Sequence, residues 1–181
     1  DRLCHGPPAH RATTMVRVST VWRCRDHDFP LGERTLVMGI VNATPDSFSD
    51  GGLFDVAADA VKYAAQLAAD GADILDVGGE STRPGADTVS VEEEIARVVP
   101  VIEGIRAEAP DTPVSVDTRR GAVARAALDA GASIVNDITA GADPEMFRLA
   151  RDTGAGFVLR HIKGEPKTMQ DDPRYDDVVA E

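Results

Sequence analysis

Residues 37–52 read VMGIVNATPDSFSDGG, and the fold turns on the change of character at Asn42. Leu36 to Val41 is an apolar, β-branched run with the length of a strand buried on both faces. From Asn42 the chain becomes small and polar, through Thr44, Asp46, Ser47, Phe48, Ser49 and Asp50. Gly51-Gly52 close the segment before a helical pattern begins. An ordinary strand-to-helix turn needs about two to six residues, and this one runs to roughly twice that. A strand ending in a long loop of Asn, Thr, Ser and Asp is how an α/β enzyme presents chemistry at the carboxyl end of its sheet.

The same change recurs downstream. Ile74–Val77 ends in Gly78-Gly79-Glu80-Ser81-Thr82-Arg83-Pro84-Gly85, and Pro113–Val116 ends in Asp117-Thr118. Ser133–Val135 ends in Asn136-Asp137, and Gly156–Leu159 ends in Arg160-His161 before a polar loop to Pro173. Helical patterns separate these runs. The first, about 56–70, carries Ala60, Val61, Ala64, Leu67 and Ala68 on one face and is closed by Gly71. A Ser90/Glu93 capping box opens the second, whose stripe holds Ile95, Val98, Val99, Ile102 and Ile105, with a kink expected at Pro100. A third spans about 121–130 and stops at Gly131. Asp143 caps the fourth, with Pro144 in its first turn and Gly154 at its end. Upstream, Val16–Trp22 alternates as a short strand and Arg23–Gly32 is a polar turn region. Together they predict a small hairpin closing one end of the domain.

Short helix-to-strand connections and long, polar strand-to-helix connections predict a parallel α/β sheet. The strands near 36–41, 74–77, 113–117, 133–136 and 156–160 should lie adjacent and parallel in that order. Asn42, Ser81, Asp117, Asn136 and His161 should then share one end. A doubly wound sheet concentrates its site at one switch point, whereas a barrel draws on all its strands. Five polar strand ends therefore predict a (β/α)8 TIM barrel, of which this chain supplies about the first five βα units. A complete barrel takes about 250 residues, and Asp177–Glu181 reads as a helix that has barely begun. Residues 15–181 are accordingly expected to be a partial, truncated barrel domain, and residues 1–14 a disordered leader or read-through.

Composition narrows the function. The 181 residues carry a formal charge of −12, which argues against a general nucleic-acid or anionic-membrane binder. An anionic small molecule remains compatible, since local Arg, backbone N–H groups and a metal can reverse the sign within a cleft. No apolar run approaches the roughly 20 residues of a membrane span. Cys4 and Cys24 are too few for a disulfide framework, residues 1–14 lack the apolar core of a signal peptide, and a cytoplasmic location is expected. Neither a dinucleotide nor a P-loop glycine motif occurs, and no Ser-His-Asp, Cys-His or H-E-x-x-H arrangement is legible.

Asp117 and Asn136 each have an ordinary explanation as caps of the following helix. Side by side, a carboxylate that only accepts and an amide that donates and accepts suit a flat heterocycle with a donor–acceptor–donor edge. Asn42 can offer a neutral oxygen to Mg²⁺. Thr82 and Arg83 are placed to hold an anion or close over a substrate. His161 is a candidate base or ligand, though a single His at a strand end is more often structural.

Four stretches carry a resemblance to a known family: Gly39–Gly52 (GIVNATPDSFSDGG), Asp76–Gly85 (DVGGESTRPG), Ser115–Thr118 (SVDT) and Val135–Ile138 (VNDI). In order and spacing they resemble the dihydropteroate synthases of folate biosynthesis, over about residues 16–181. The resemblance implies condensation of 6-hydroxymethyl-7,8-dihydropterin diphosphate with p-aminobenzoate, giving dihydropteroate and pyrophosphate. It implies that Asp117 and Asn136 grip the pterin edge, with Ile138 against its face and Thr82 nearby. Asn42 would hold Mg²⁺, the expected cofactor. Phe48, Ser81, Thr82, Arg83 and Pro84 would form the p-aminobenzoate pocket, and Asp46 and Arg83 would act in catalysis, Asp46 near a pterin cation. A homodimer is expected for the full-length enzyme.

The chain departs from the family at Leu159-Arg160-His161-Ile162, where Leu-Met-His-Met is usual. A buried Arg160 is costly unless paired, so it is either turned outward or the pocket differs. The family's later Asp, its Ser-x-Lys lysine and its Arg-x-His site would fall beyond Glu181, and the 181-residue chain alone is expected to be inactive. Two alternatives are an inactive pterin-binding fragment and a methyltetrahydrofolate-binding methyltransferase domain, the latter disfavoured by the first loop.

Overall fold

The computed structural model describes residues 20–44, 53–80, 88–163, 169, 172–177 and 180, with the side chains of 53–55 left aside. It begins with an antiparallel hairpin, β1 (Thr20–Cys24) and β2 (His27–Leu31). β3 (Met38–Asn42) follows, then α1 (Leu53–Ala69), β4 (Ile74–Gly78), α2 (Val91–Glu108) and β5 (Val114–Asp117). α3 (Gly121–Asp129), β6 (Ile134–Asp137), α4 (Pro144–Thr153) and β7 (Gly156–Leu159) complete the order. The expected second half of the hairpin needs correction. Arg23–Gly32 is not one polar turn region: the turn is Arg25-Asp26, and β2 occupies His27–Leu31.

β3 to β7 form one five-stranded sheet in sequence order, and every neighbouring pair is parallel. Among the described residues no strand doubles back, so the described sheet has no switch point of the doubly wound kind. The architecture is five strands of a (β/α)8 barrel. Val41, Val77, Val116 and Val135 sit in one row of the register and face the helix-covered core. Against them pack Ala60 and Ala64 of α1, Val98, Val101, Ile102 and Ile105 of α2, and Ala124 and Ala127 of α3.

Local sequence explains the helix ends. Ser90 Oγ accepts from Glu93 N at 3.1 Å, and α2 then runs unbroken through Pro100. Asp143 accepts from Glu145 N at 2.9 Å, and Gly71, Gly131 and Gly154 take positive φ after α1, α3 and α4. Gly104 allows α1 and α2 to approach closely, because a Cβ there would come within 2.4 Å of Val61.

The hairpin closes the amino-terminal end of the sheet. Cys24 and Phe29 form a small buried cluster with Ile74 and Ile134. Arg25 donates to the carbonyls of Leu128 and Ala132, both at 2.8 Å. Burial, aided by the charge of Asp28, pushes the Cys24 thiol up to about 11, so this cysteine is a core residue rather than a nucleophile. With one end plugged, the open end of the barrel interior is the carboxyl end of the strands.

Candidate active site

At that end the register aligns Asn42, Gly78, Asp117, Asn136 and Val158 in one row. Two residues earlier lies a second row, Ile40, Asp76, Ser115, Ile134 and Gly156. Side chains alternate along a strand, so both rows face the barrel interior. The inner row is unusually polar for a core: Asp76 is 4% exposed and Ser115 0%, and Asn136 above them is 5% exposed. Asn136 Nδ2 donates to Asp76 Oδ2 at 2.9 Å. Asp76 Oδ1, Ser115 Oγ and Asn136 Oδ1 are buried and have no hydrogen-bond partner. Orphaned polar atoms on three adjacent strands are costly, which makes this layer a candidate ligand site.

The electrostatics agree. Burial pushes the Asp117 carboxyl up to about 7, with the charge of Asp76 raising it further, Arg160 drawing it down, and Glu94 and Asp137 adding to the rise. Asp76 is also held above the usual carboxylate range by burial. The Asn136 amide and the Ser115 hydroxyl pull it the other way, although Ser115 forms no hydrogen bond of good geometry. Two raised carboxyls on neighbouring strands are the pattern of a functional cleft.

The capping explanation does not hold for either outer residue. Thr118 Oγ1 accepts from Arg120 N at 3.2 Å, and Gly121 N at the start of α3 donates to Asp143 Oδ2 at 2.8 Å. Asp137, not Asn136, organises the turn after β6, accepting from Thr139 N and Oγ1 at 2.7 Å and from Gly141 N at 2.8 Å. That turn carries Ile138, which is buried close to Asn136 in sequence.

Arg160 is both paired and turned outward. Its guanidinium donates to Asp117 Oδ2 at 3.3 Å while its side chain stays 41% exposed. His161 Nε2 lies 2.9 Å from the Tyr175 hydroxyl on the surface, in keeping with a structural role. Asn42 is exposed at the end of β3, and its register neighbour Gly78 has no side chain to fill the space toward Asp117. Among the described residues no group of three or more His, Cys, Asp or Glu could hold a metal. One neutral oxygen in an open position fits Mg²⁺ that keeps waters and takes further ligands from a substrate, not an ion in a protein cage.

Asp46, Phe48, Ser81, Thr82, Arg83 and Pro84 lie outside the described residues. The described chain does reach Gly79 and Glu80. Arg97 donates to the Gly79 carbonyl at 2.9 Å, and Arg119 and Arg120 each approach Glu80 at 3.3 Å. Sequence reasoning passed over Asp76, Ser115 and Glu94. The available signal for Asp76 was a lone carboxylate within the apolar run Ile74–Val77.

Sequential parallel strands with an acceptor-rich layer at their carboxyl ends define a (β/α)8-barrel protein with a candidate site at that end. The family profile of pterin-binding enzymes matches residues 38–181, and the chain belongs to that family. It is 49% identical over 154 residues to the dihydropteroate synthase of Synechocystis sp., covering 84% of this chain and 53% of that protein. Among solved structures, Xanthomonas albilineans dihydropteroate synthase with 4-aminobenzoic acid is 48% identical, with a TM-score of 0.77. That match covers 89% of this chain and 57% of the other. The Burkholderia cenocepacia enzyme complexed with 7,8-dihydropteroate is 44% identical, TM-score 0.73, covering 88% and 53% respectively. The chain spans about half the length of the relatives it matches. No helix among the described residues is long and apolar enough to cross a membrane.

Proposed function

We propose that this chain carries the pterin half of a dihydropteroate synthase site, in which 6-hydroxymethyl-7,8-dihydropterin diphosphate condenses with p-aminobenzoate. The observation that supports it best is the pairing of Asp117 and Asn136 over unsatisfied buried acceptors, in a chain about half identical to synthases of that name. Asp117 and Asn136 Oδ1 accept N–H groups from the pterin ring, and Ile138 lies against its face. Asn42 is the proposed magnesium ligand; when bound, the ion supplies charge neutralisation to the departing diphosphate. Asp46 and Arg83 are proposed to act in catalysis, with Phe48, Ser81, Thr82, Arg83 and Pro84 around p-aminobenzoate and Thr82 also near the pterin. Cytoplasmic location belongs to the same proposal and rests on the few cysteines and the lack of a signal-peptide pattern in residues 1–14, and homodimer formation by a full-length protein rests on resemblance. A methyltransferase reading has less support, because the relatives above carry the synthase name.

The test is calorimetric titration of 6-hydroxymethylpterin into the 181-residue chain. Asp117→Ala should weaken binding by on the order of 1–3 kcal/mol, leaving ligand N–H groups unpaired in a dry site, and Asn136→Ala should do so less severely. Unchanged affinity in both variants would remove the assignment. The isolated chain is expected to give no dihydropteroate from radiolabelled p-aminobenzoate. Turnover comparable to a complete relative would overturn the division of roles.

A further inference from the structure

We propose that Asp76 is the positioning residue for Asn136: it fixes the side-chain amide so that Oδ1, and not Nδ2, is turned to the heterocycle. The inference rests on the pterin-site reading above and adds a determinant of which heterocycle is accepted. An asparagine amide has nearly the same shape after a half-turn about its last bond, so its neighbours decide which end faces a ligand. Here the neighbour is the Asp76 carboxyl, which when ionised, the form its contact with the Asn136 amide favours, only accepts. It takes the Nδ2 group at 2.9 Å, with both partners buried. The amide oxygen is thereby left buried and without a partner, like the second oxygen of Asp76.

The consequence is a hydrogen-bonding polarity. Asn136 Oδ1 and Asp117 on the adjoining strand stand in the same row, and both present acceptors when Asp117 is ionised. A ring carrying an amino group and a ring N–H matches them. A ring with oxygen in place of the amino group sets acceptor against acceptor, and a buried polar site rejects such a mismatch far more strongly than it rejects a missing methylene. Asp76 makes this selection from the inner row, one layer below the groups that meet the ring. The Asp76→Asn substitution permits the Asn136 amide both orientations, since an amide in place of the carboxylate can either accept from Nδ2 or donate to Oδ1.

The experiment compares pterin with lumazine, in which oxygen replaces the 2-amino group, as ligands of wild type and Asp76→Asn. Wild type should prefer pterin, and the preference should fall by about tenfold or more in the variant. A merely structural role would weaken both ligands and leave their ratio alone, and an unchanged ratio overturns the proposal. A second measurement needs no variant to fold. Asn42 and Asn136 are the two asparagines of the chain, so ¹⁵N-asparagine labelling gives two side-chain amide signals. That of Asn136 should be shifted downfield and protected from exchange beside exposed Asn42; two alike, solvent-exposed signals overturn the proposal. Should wild type bind neither probe, the pterin reading fails, and the amide signals alone decide the orientation of Asn136.

Discussion

Asp117 must carry negative charge where water is largely excluded and a second carboxyl, Asp76, lies on the next strand. Its carboxyl sits at about 7 in the folded chain against 3.8 for the ordinary group. Between those values the folded state binds more protons than the unfolded one, so stability falls as pH rises from about 4 to about 7 and is level above that. Asp117→Asn should remove the Asp117 contribution to that slope, leaving those of Asp76 and Glu94, and make the chain more stable than wild type at pH 8, by roughly 2–4 kcal/mol. Urea unfolding across this range checks it, and parallel curves for the two proteins would refute it. Arg160 draws the Asp117 value down across a contact of 3.3 Å, so Arg160→Met should extend the slope to higher pH. The placement of Asp117 and Asn136 together at the strand ends was legible in the sequence because each ends an apolar run, where a polar residue breaks the pattern. Ser115 shares the face of Asp117 by alternation within β5 but reads as an ordinary small core residue, and Asp76, though it interrupts an apolar run, is placed on that face only by the register.

Between elements, Glu94 ties α2 to the chain that follows β5. It is fully buried, accepts from Thr118 Oγ1 and from Arg120 Nη1, both at 2.7 Å, and Arg120 continues to Glu80 at the end of β4. Burial raises the Glu94 carboxyl while Thr118 and Arg120 pull it down. Arg120→Ala leaves a buried charge uncompensated and should cost about 3–5 kcal/mol. Adding Glu94→Gln should recover part of that loss, since the amide oxygen can still accept from Thr118. A change below about 0.5 kcal/mol in Arg120→Ala, the scale of an ordinary surface substitution, would show that the network is not supporting the fold. The helices were legible from caps and periodicity: Ser90, Asp143 and Gly154 all act as their residue types predict. The strand β2 was not, because His27-Asp28 and Pro30 read as turn residues. A two-stranded edge tolerates them, with Phe29 alone of the strand buried.

For the whole molecule, a barrel abolishes strand edges by closing on itself, and the described sheet has two that no strand covers among the described residues, one on β3 and one on β7. The parallel order was legible because strands and helices alternate and the first two strand-to-helix connections are long and polar, although the one from β5 to α3 is only residues 118–120; exposure at the edges, by contrast, depends on what faces them. Ile40 belongs to the interior row with Asp76 and Ser115, yet it is 61% exposed, and Leu159 on β7 is 58% exposed. Unpaired backbone groups beside exposed β-branched and leucine side chains form a template for pairing. The two edges are different surfaces, so β3 of one copy meeting β7 of another is a heterologous contact that repeats until it closes into a ring or grows open-ended. The 181-residue chain should therefore self-associate as concentration rises, despite its charge of −12, which opposes association. Light scattering should show a mass that grows with concentration and grows further in salt, where the repulsion is screened. Ile40→Lys and Leu159→Lys place a charge on each edge and should shift the onset upward without altering the circular dichroism spectrum. A chain that stays monomeric at high concentration and high salt would mean that both edges are covered, and the sheet would then have to be closed by segments outside the described strands.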